Sequence, residues 1–186
     1  LTGNSYGVHL EIDKAIRVVA DHLRAIFFAV ADGQLPSNTG AGYVIRRILR
    51  RAVRYGYSFL NQKSPFIFRL VDVLYNQMKN IYTGLAGKRN LIHNVVKEEE
   101  NSFLKTLDQG LILLDSMISK NVDGKIEGSK VFQLYDTYGF PKDLTALILS
   151  EKGFSFDEEE FEKSMNKQKE ISKKAAFSSK GDWVII

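Results

Sequence analysis

Five arginines crowd one short stretch of this chain. In Gly42-Tyr43-Val44-Ile45-Arg46-Arg47-Ile48-Leu49-Arg50-Arg51-Ala52-Val53-Arg54-Tyr55-Gly56, Arg46, Arg50 and Arg54 recur at every fourth residue, with Arg47 and Arg51 beside them. On a helix they share one ridge, while Ile45, Ile48, Leu49, Ala52 and Val53 take the opposite face. No acid interrupts the ridge, so its like charges repel one another and an outside anion would relieve them. The planar guanidinium fork suits phosphate oxygens held two at a time. Acids on neighbouring helices, at residues 97–100 or 157–160, would relieve the ridge equally well, and spacing alone leaves both readings open.

The loop before the ridge runs Ala31-Asp32-Gly33-Gln34-Leu35-Pro36-Ser37-Asn38-Thr39-Gly40-Ala41. Gly33, Gly40 and the following Gly42 let backbone approach a ligand closely, and Ser37 and Asn38 can cap the helix or point outwards. No Lys-Ser or Lys-Thr pair accompanies these glycines, so the loop is not a P-loop. A second polar spot lies in Leu134-Tyr135-Asp136-Thr137-Tyr138-Gly139-Phe140-Pro141, where Asp136 can cap a helix starting near Tyr138 or Pro141. Tyr135, Tyr138 and Phe140 read as core anchors of the Gly-Phe-Pro turn rather than as platforms for bases. His9, His22 and His93 are too far apart for paired metal ligands, and with 0 cysteines neither a disulfide framework nor a thiolate zinc site is available. No metal is expected. His22 and Arg24 stand off the apolar stripe of their helix without an evident role.

The elements that hold these residues are helices. Ile12, Ile16, Val19, Leu23, Ile26, Phe27 and Val30 recur at three- and four-residue steps up to Asp32-Gly33, a first helix. The arginine helix follows, and Ile67, Leu70, Val71, Leu74 and Met78 mark a third after Pro65. Leu104, Leu107, Leu111, Leu114 and Ile118 form a coiled-coil-like seam on a long helix near residues 88–120. Shorter helices are predicted around residues 129–135 and from Pro141 to about residue 151. Ser155 with Glu158 reads as a capping box opening a last helix near residues 156–176. Its acidic start and its lysines, Lys167, Lys169, Lys173 and Lys174, match the helix dipole and read as a solvated face. The fold class is all-α, a multi-helix bundle with room for two sub-bundles at about residues 1–85 and 86–177.

Overall charge says little, because 26 Lys and Arg against 22 Asp and Glu leave only +4. Polar residues interrupt every apolar run, so neither a signal peptide nor a membrane span is expected, and the absence of cysteine fits a cytoplasmic protein. Both ends read as cuts within a longer chain. The tail Asp182-Trp183-Val184-Ile185-Ile186 is strand-like and would be paired, so residues 178–186 are read as the truncated start of a following β-domain.

Several of these segments carry a resemblance. Ala20-Asp21-His22-Leu23-Arg24, the loop through Pro36-Ser37-Asn38, the arginine run from Gly42 to Arg54, and Leu134 to Pro141 with Asp143-Leu144-Thr145 resemble alanyl-tRNA synthetase, and they stand in that family's order. The similarity covers about residues 15–177. It implies that residues 1–177 are the helical tRNA-recognition segment of a class II ligase that attaches alanine to tRNA in the cytoplasm. The family's catalytic domain, with ATP and Mg²⁺, would precede this segment, and its editing domain, with zinc, would follow, so no catalytic residue, cofactor or metal falls here and the fragment alone is expected to be inactive. The implied partners are the tRNA-Ala acceptor stem and those two domains of the same polypeptide. In the family a G·U wobble pair in that stem is read by an Asn and an Asp whose matching positions are Asn38 and Asp136, while Arg46, Arg47, Arg50, Arg51 and Arg54 would hold the phosphate backbone. Two other classes remain: a general helical nucleic-acid-binding domain indifferent to the wobble pair, and a protein-interaction module whose arginines meet an acidic partner.

Overall fold

The helix periods in the sequence reappear in a computed structural model that describes residues 2–178. Seven helices occupy the described residues: α1 (Leu10–Ala31), α2 (Gly40–Phe59), α3 (Ile67–Met78), α4 (Arg89–Ser119), α5 (Gly128–Tyr138), α6 (Lys142–Glu151) and α7 (Glu158–Ser178). A 3₁₀ turn at Thr83–Leu85 precedes α4, and two-residue strands β1 (Lys125–Ile126) and β2 (Ser155–Phe156) pair in parallel. The all-α class is therefore observed. The strand-like tail at 182–186, and with it the proposed β-domain start at 178–186, lies outside the described residues, apart from Ser178 at the end of α7. By contacts the chain divides into Leu1–Asp108 and Gln109–Ile186, the division falling inside α4.

In the first unit, Ala15, Val19, Leu23, Ile26, Phe27 and Val30 of α1 are buried with Ile45, Leu49, Ala52 and Val53 of α2. The α1 helix ends where Gly33 takes φ +86°: Gly33 and Gln34 N–H donate back to Val30 and Ala29 carbonyls, closing the last turn. Lys88 Nζ satisfies a further terminal carbonyl, that of Ala31, at 2.6 Å. Gly56 leaves room for the ring of Phe66, which a Cβ there would meet at 2.3 Å.

The buried seam of α4 reads Ile92, Val96, Glu100, Phe103, Leu107, Gly110, Leu114, in steps of three and four. It starts earlier than the leucine run suggested and has a carboxylate in it. Glu100 is 0% exposed and caps α3 from a distance, accepting the N–H groups of Phe66 (3.0 Å), Ile67 (2.9 Å) and Phe68 (2.8 Å). Those donors are ones that a helix start leaves without internal partners. Burial pushes the Glu100 carboxyl up from its ordinary value, against the pull of the three N–H groups.

In the second unit, Ile126, Val131, Leu134, Phe140, Leu144, Ile148, Leu149, Phe156 and Phe161 form the core. The start of α7 differs from the expected Ser155–Glu158 box. Ser155 belongs to β2, and Asp157 caps the helix by accepting the Glu160 N–H at 3.0 Å. Glu160 reaches across to accept the Gly128 N–H at 2.8 Å, so a carboxylate on α7 caps α5. Lys125 pairs with Asp157 at 2.7 Å and, with the Glu160 N–H, holds that carboxyl below its ordinary range. The pairing of Lys125 with Ser155 and Ile126 with Phe156 takes Ser155 out of capping reach, because its backbone joins the strand ladder.

Candidate nucleic-acid interface

Asn38 and Asp136 are both exposed, the first in the first unit and the second in the second. Asn38 precedes the extended N-cap residue Thr39 and caps nothing, since no side chain caps α2. Ser37 organises the loop instead: its hydroxyl donates to the Thr39 carbonyl at 2.7 Å and accepts the Thr39 N–H at 3.4 Å. Gly42 serves this packing rather than a ligand. A Cβ there would meet the Leu35 carbonyl at 2.3 Å and Ser37 Oγ at 2.4 Å, so its lack of a side chain lets the loop lie on its own helix.

The five arginines do different things. Arg46 holds Glu99 of α4 with the Nε–Nη2 edge of its guanidinium, Nε at 3.1 Å from both carboxylate oxygens and Nη2 at 2.7 Å from Oε1. Its remaining nitrogen, Nη1, donates to Asn38 Oδ1. Arg50 lies 3.9 Å from the same Glu99 and places its guanidinium 5.0 Å from the centre of the Phe103 ring. Arg54 is only 5% exposed and lies over Tyr55 and Phe59, at 5.2 and 5.1 Å. Arg47 and Arg51 are half-buried. Burial and then the positive charge of Arg51 hold His22 below the ordinary imidazole value, with Asp21 opposing them. One acid that meets the ridge, Glu99, lies in the 97–100 segment named by the sequence.

Asp136 sits in the last turn of α5, which Gly139 ends at φ +66° with the Phe140 N–H returning to the Leu134 carbonyl. It therefore does not cap a following helix; Pro141 occupies the N-cap position of α6. Among the described residues it has no hydrogen bond or ion pair. The aromatics around it are structural: Phe140 is fully buried, beside Gly110 where a Cβ would meet its ring at 2.2 Å, and Tyr135 meets Phe161 edge-on at 6.0 Å. Among the described residues no group of three or more His, Asp or Glu could hold a metal ion, and no helix is long and apolar enough to cross a membrane.

The family model for class II (A) tRNA synthetases matches residues 1–184. The alanine–tRNA ligase of Christiangramia forsetii is 58% identical over 184 residues, 99% of this chain and 21% of that protein. Those of Flavobacterium psychrophilum and Porphyromonas gingivalis are 55% and 53% identical, over 92% and 100% of this chain and 19% and 22% of their own lengths. The chain thus spans about a fifth of the length of the curated relatives it matches.

Proposed function

This chain belongs to the alanine–tRNA ligase family of class II tRNA synthetases, and on that footing we propose that it is the family's tRNA-recognising helical segment, binding the acceptor stem of tRNA-Ala and its G·U pair. The longer protein is proposed to attach alanine to tRNA in the cytoplasm, with ATP and Mg²⁺ in a preceding catalytic domain and zinc in a following editing domain. No described residue of this chain is assigned to those groups.

The observation that carries the reading is the position of Asp136. A carboxylate in the last turn of a helix faces the negative end of the dipole, an arrangement disfavoured by roughly 0.3–1 kcal/mol. Asp136 is exposed there and makes no hydrogen bond or ion pair among the described residues. An accepting group kept in such a place suits a donor brought by a partner. In the wide, shallow minor groove of A-form RNA, guanine offers its 2-amino group, which a wobble pair leaves without a pairing partner. Asn38, in the first unit, offers an exposed amide to a ribose or base oxygen. Arg47 and Arg51, on the ridge beside the residues engaged by Glu99, are assigned to the phosphate backbone, which positions the duplex without reading it.

The test is a titration of two acceptor-stem hairpins, one with the G·U pair and one with G·C, against the chain and its variants. Asn38→Ala and Asp136→Ala are expected to lose about tenfold on the G·U hairpin and little on the other, the worth of one unmet polar contact. Arg51→Ala should weaken both alike. Equal binding of the two hairpins by the unaltered chain would replace this reading with that of a general duplex binder, and no binding even at low salt would favour a protein-interaction module.

A further inference from the structure

The contact between Arg46 and Asn38 limits what Asn38 can do. Arginine has donors only, so the amide atom facing Nη1 must be the oxygen, and the Asn38 NH₂ group is left as the side facing away. In free solution the two ends of a carboxamide exchange by rotation; here a fixed donor selects one of them. The donor is itself fixed, because Nε and Nη2 of Arg46 grip Glu99, whose side chain is 15% exposed and which also lies against Arg50. Glu99 lies 53 residues from Arg46 and belongs to a different helix, so the loop residue is oriented by the packing of α4 on α2. A shared carboxylate also removes part of the charge that would draw Arg46 to phosphate.

We infer that Arg46, anchored on Glu99, is a positioning residue that locks Asn38 as a hydrogen-bond donor, so that Asn38 meets an acceptor on the RNA, a ribose 2′-oxygen or a base oxygen or nitrogen. This rests on the proposed reading role of Asn38. It assigns Arg46 to the identity of the bound RNA rather than to phosphate affinity, and it makes Glu99 part of the same device. Lysine cannot replace arginine here, because one ammonium point charge cannot hold the carboxylate with two nitrogens of a planar fork and the amide with a third.

A double-mutant cycle on the G·U hairpin separates the possibilities, using Asn38→Ala, Arg46→Lys and the pair. Arg46→Lys is expected to lose about as much as Asn38→Ala, about tenfold, and the double variant no more than Asn38→Ala alone, because both changes remove one contact. Additive losses would overturn the inference while leaving Asn38 as a reader. No loss in Asn38→Ala would sink the underlying reading instead. Glu99→Gln keeps the arginine and loosens its anchor; it should reduce selectivity for the G·U hairpin and show the same lack of additivity with Asn38→Ala. Tighter binding of both hairpins by Glu99→Gln, with unchanged selectivity, would show that Glu99 only neutralises charge. Nitrogen-15 relaxation of the Asn38 side-chain amide in the unaltered chain needs no variant: order parameters above ~0.6 are expected, and values typical of a flexible surface amide would overturn the lock.

Discussion

Glu100 places a carboxyl group where a coiled-coil seam would normally hold a leucine, and its three backbone donors explain why it stays there. Removing it strands the N–H groups of Phe66, Ile67 and Phe68 in a buried site. Glu100→Ala is expected to destabilise the first unit by about 3 kcal/mol, read from urea unfolding at neutral pH. Its pH dependence has a definite sign. Burial raises the folded carboxyl above its ordinary 4.5, so between that value and the folded one the folded chain holds a proton that the unfolded chain has lost. This group's contribution is thus fully present below 4.5 and declines as pH rises through the folded value, and the stability gap between the unaltered chain and Glu100→Ala should narrow over that range. Asp157 runs the other way: Lys125 and the Glu160 N–H lower its carboxyl, so its contribution is present above the ordinary range and fades as pH falls through the lowered value. Both stood in acidic segments that the sequence offered as partners of the ridge, but their capping roles did not show, because the groups that define them lie more than 30 residues away or in a strand pair too short to show a period.

At the scale of elements, the helices were legible and their joints were not. Apolar steps of three and four placed α1 to α4 to within a few residues, since each helix buries one stripe and the stripe is local in sequence. The caps of α3 and α5 come from carboxylates on α4 and α7, contacts that no local pattern encodes. The arginine ridge was visible for the same reason as the helix stripes. The setting of Arg46 and Arg50 on Glu99 and of Arg54 over aromatic rings was not. Gly128 shows how tight one of these joints is. A Cβ there would meet the Asp157 carbonyl at 2.1 Å and the Phe161 nitrogen at 2.4 Å, both backbone atoms with little freedom to retreat. Gly128→Ala should therefore push α5 from the start of α7 and destabilise the second unit by about 1–3 kcal/mol, as overpacking does. A melt that leaves the second unit unchanged would mean that the α5–α7 joint moves apart without loss.

For the whole molecule, a net charge of only +4 bears on how the proposed RNA binding would depend on salt. Phosphate contacts release counterions, and each one adds about 0.7 to 0.9 to the slope of log K against log salt. Were all five ridge arginines on phosphate, that slope would be steep; with Arg46 and Arg50 on Glu99 and Arg54 buried, those three should add little to it. Arg51→Gln is expected to lower the slope by about 0.7 to 0.9, and Arg46→Gln to leave it within error while still losing discrimination between the G·U and G·C hairpins. A matching drop in slope for Arg46→Gln would place its charge on the RNA backbone after all. Selectivity and salt dependence would then travel together, and one helix face would be serving both grip and identity.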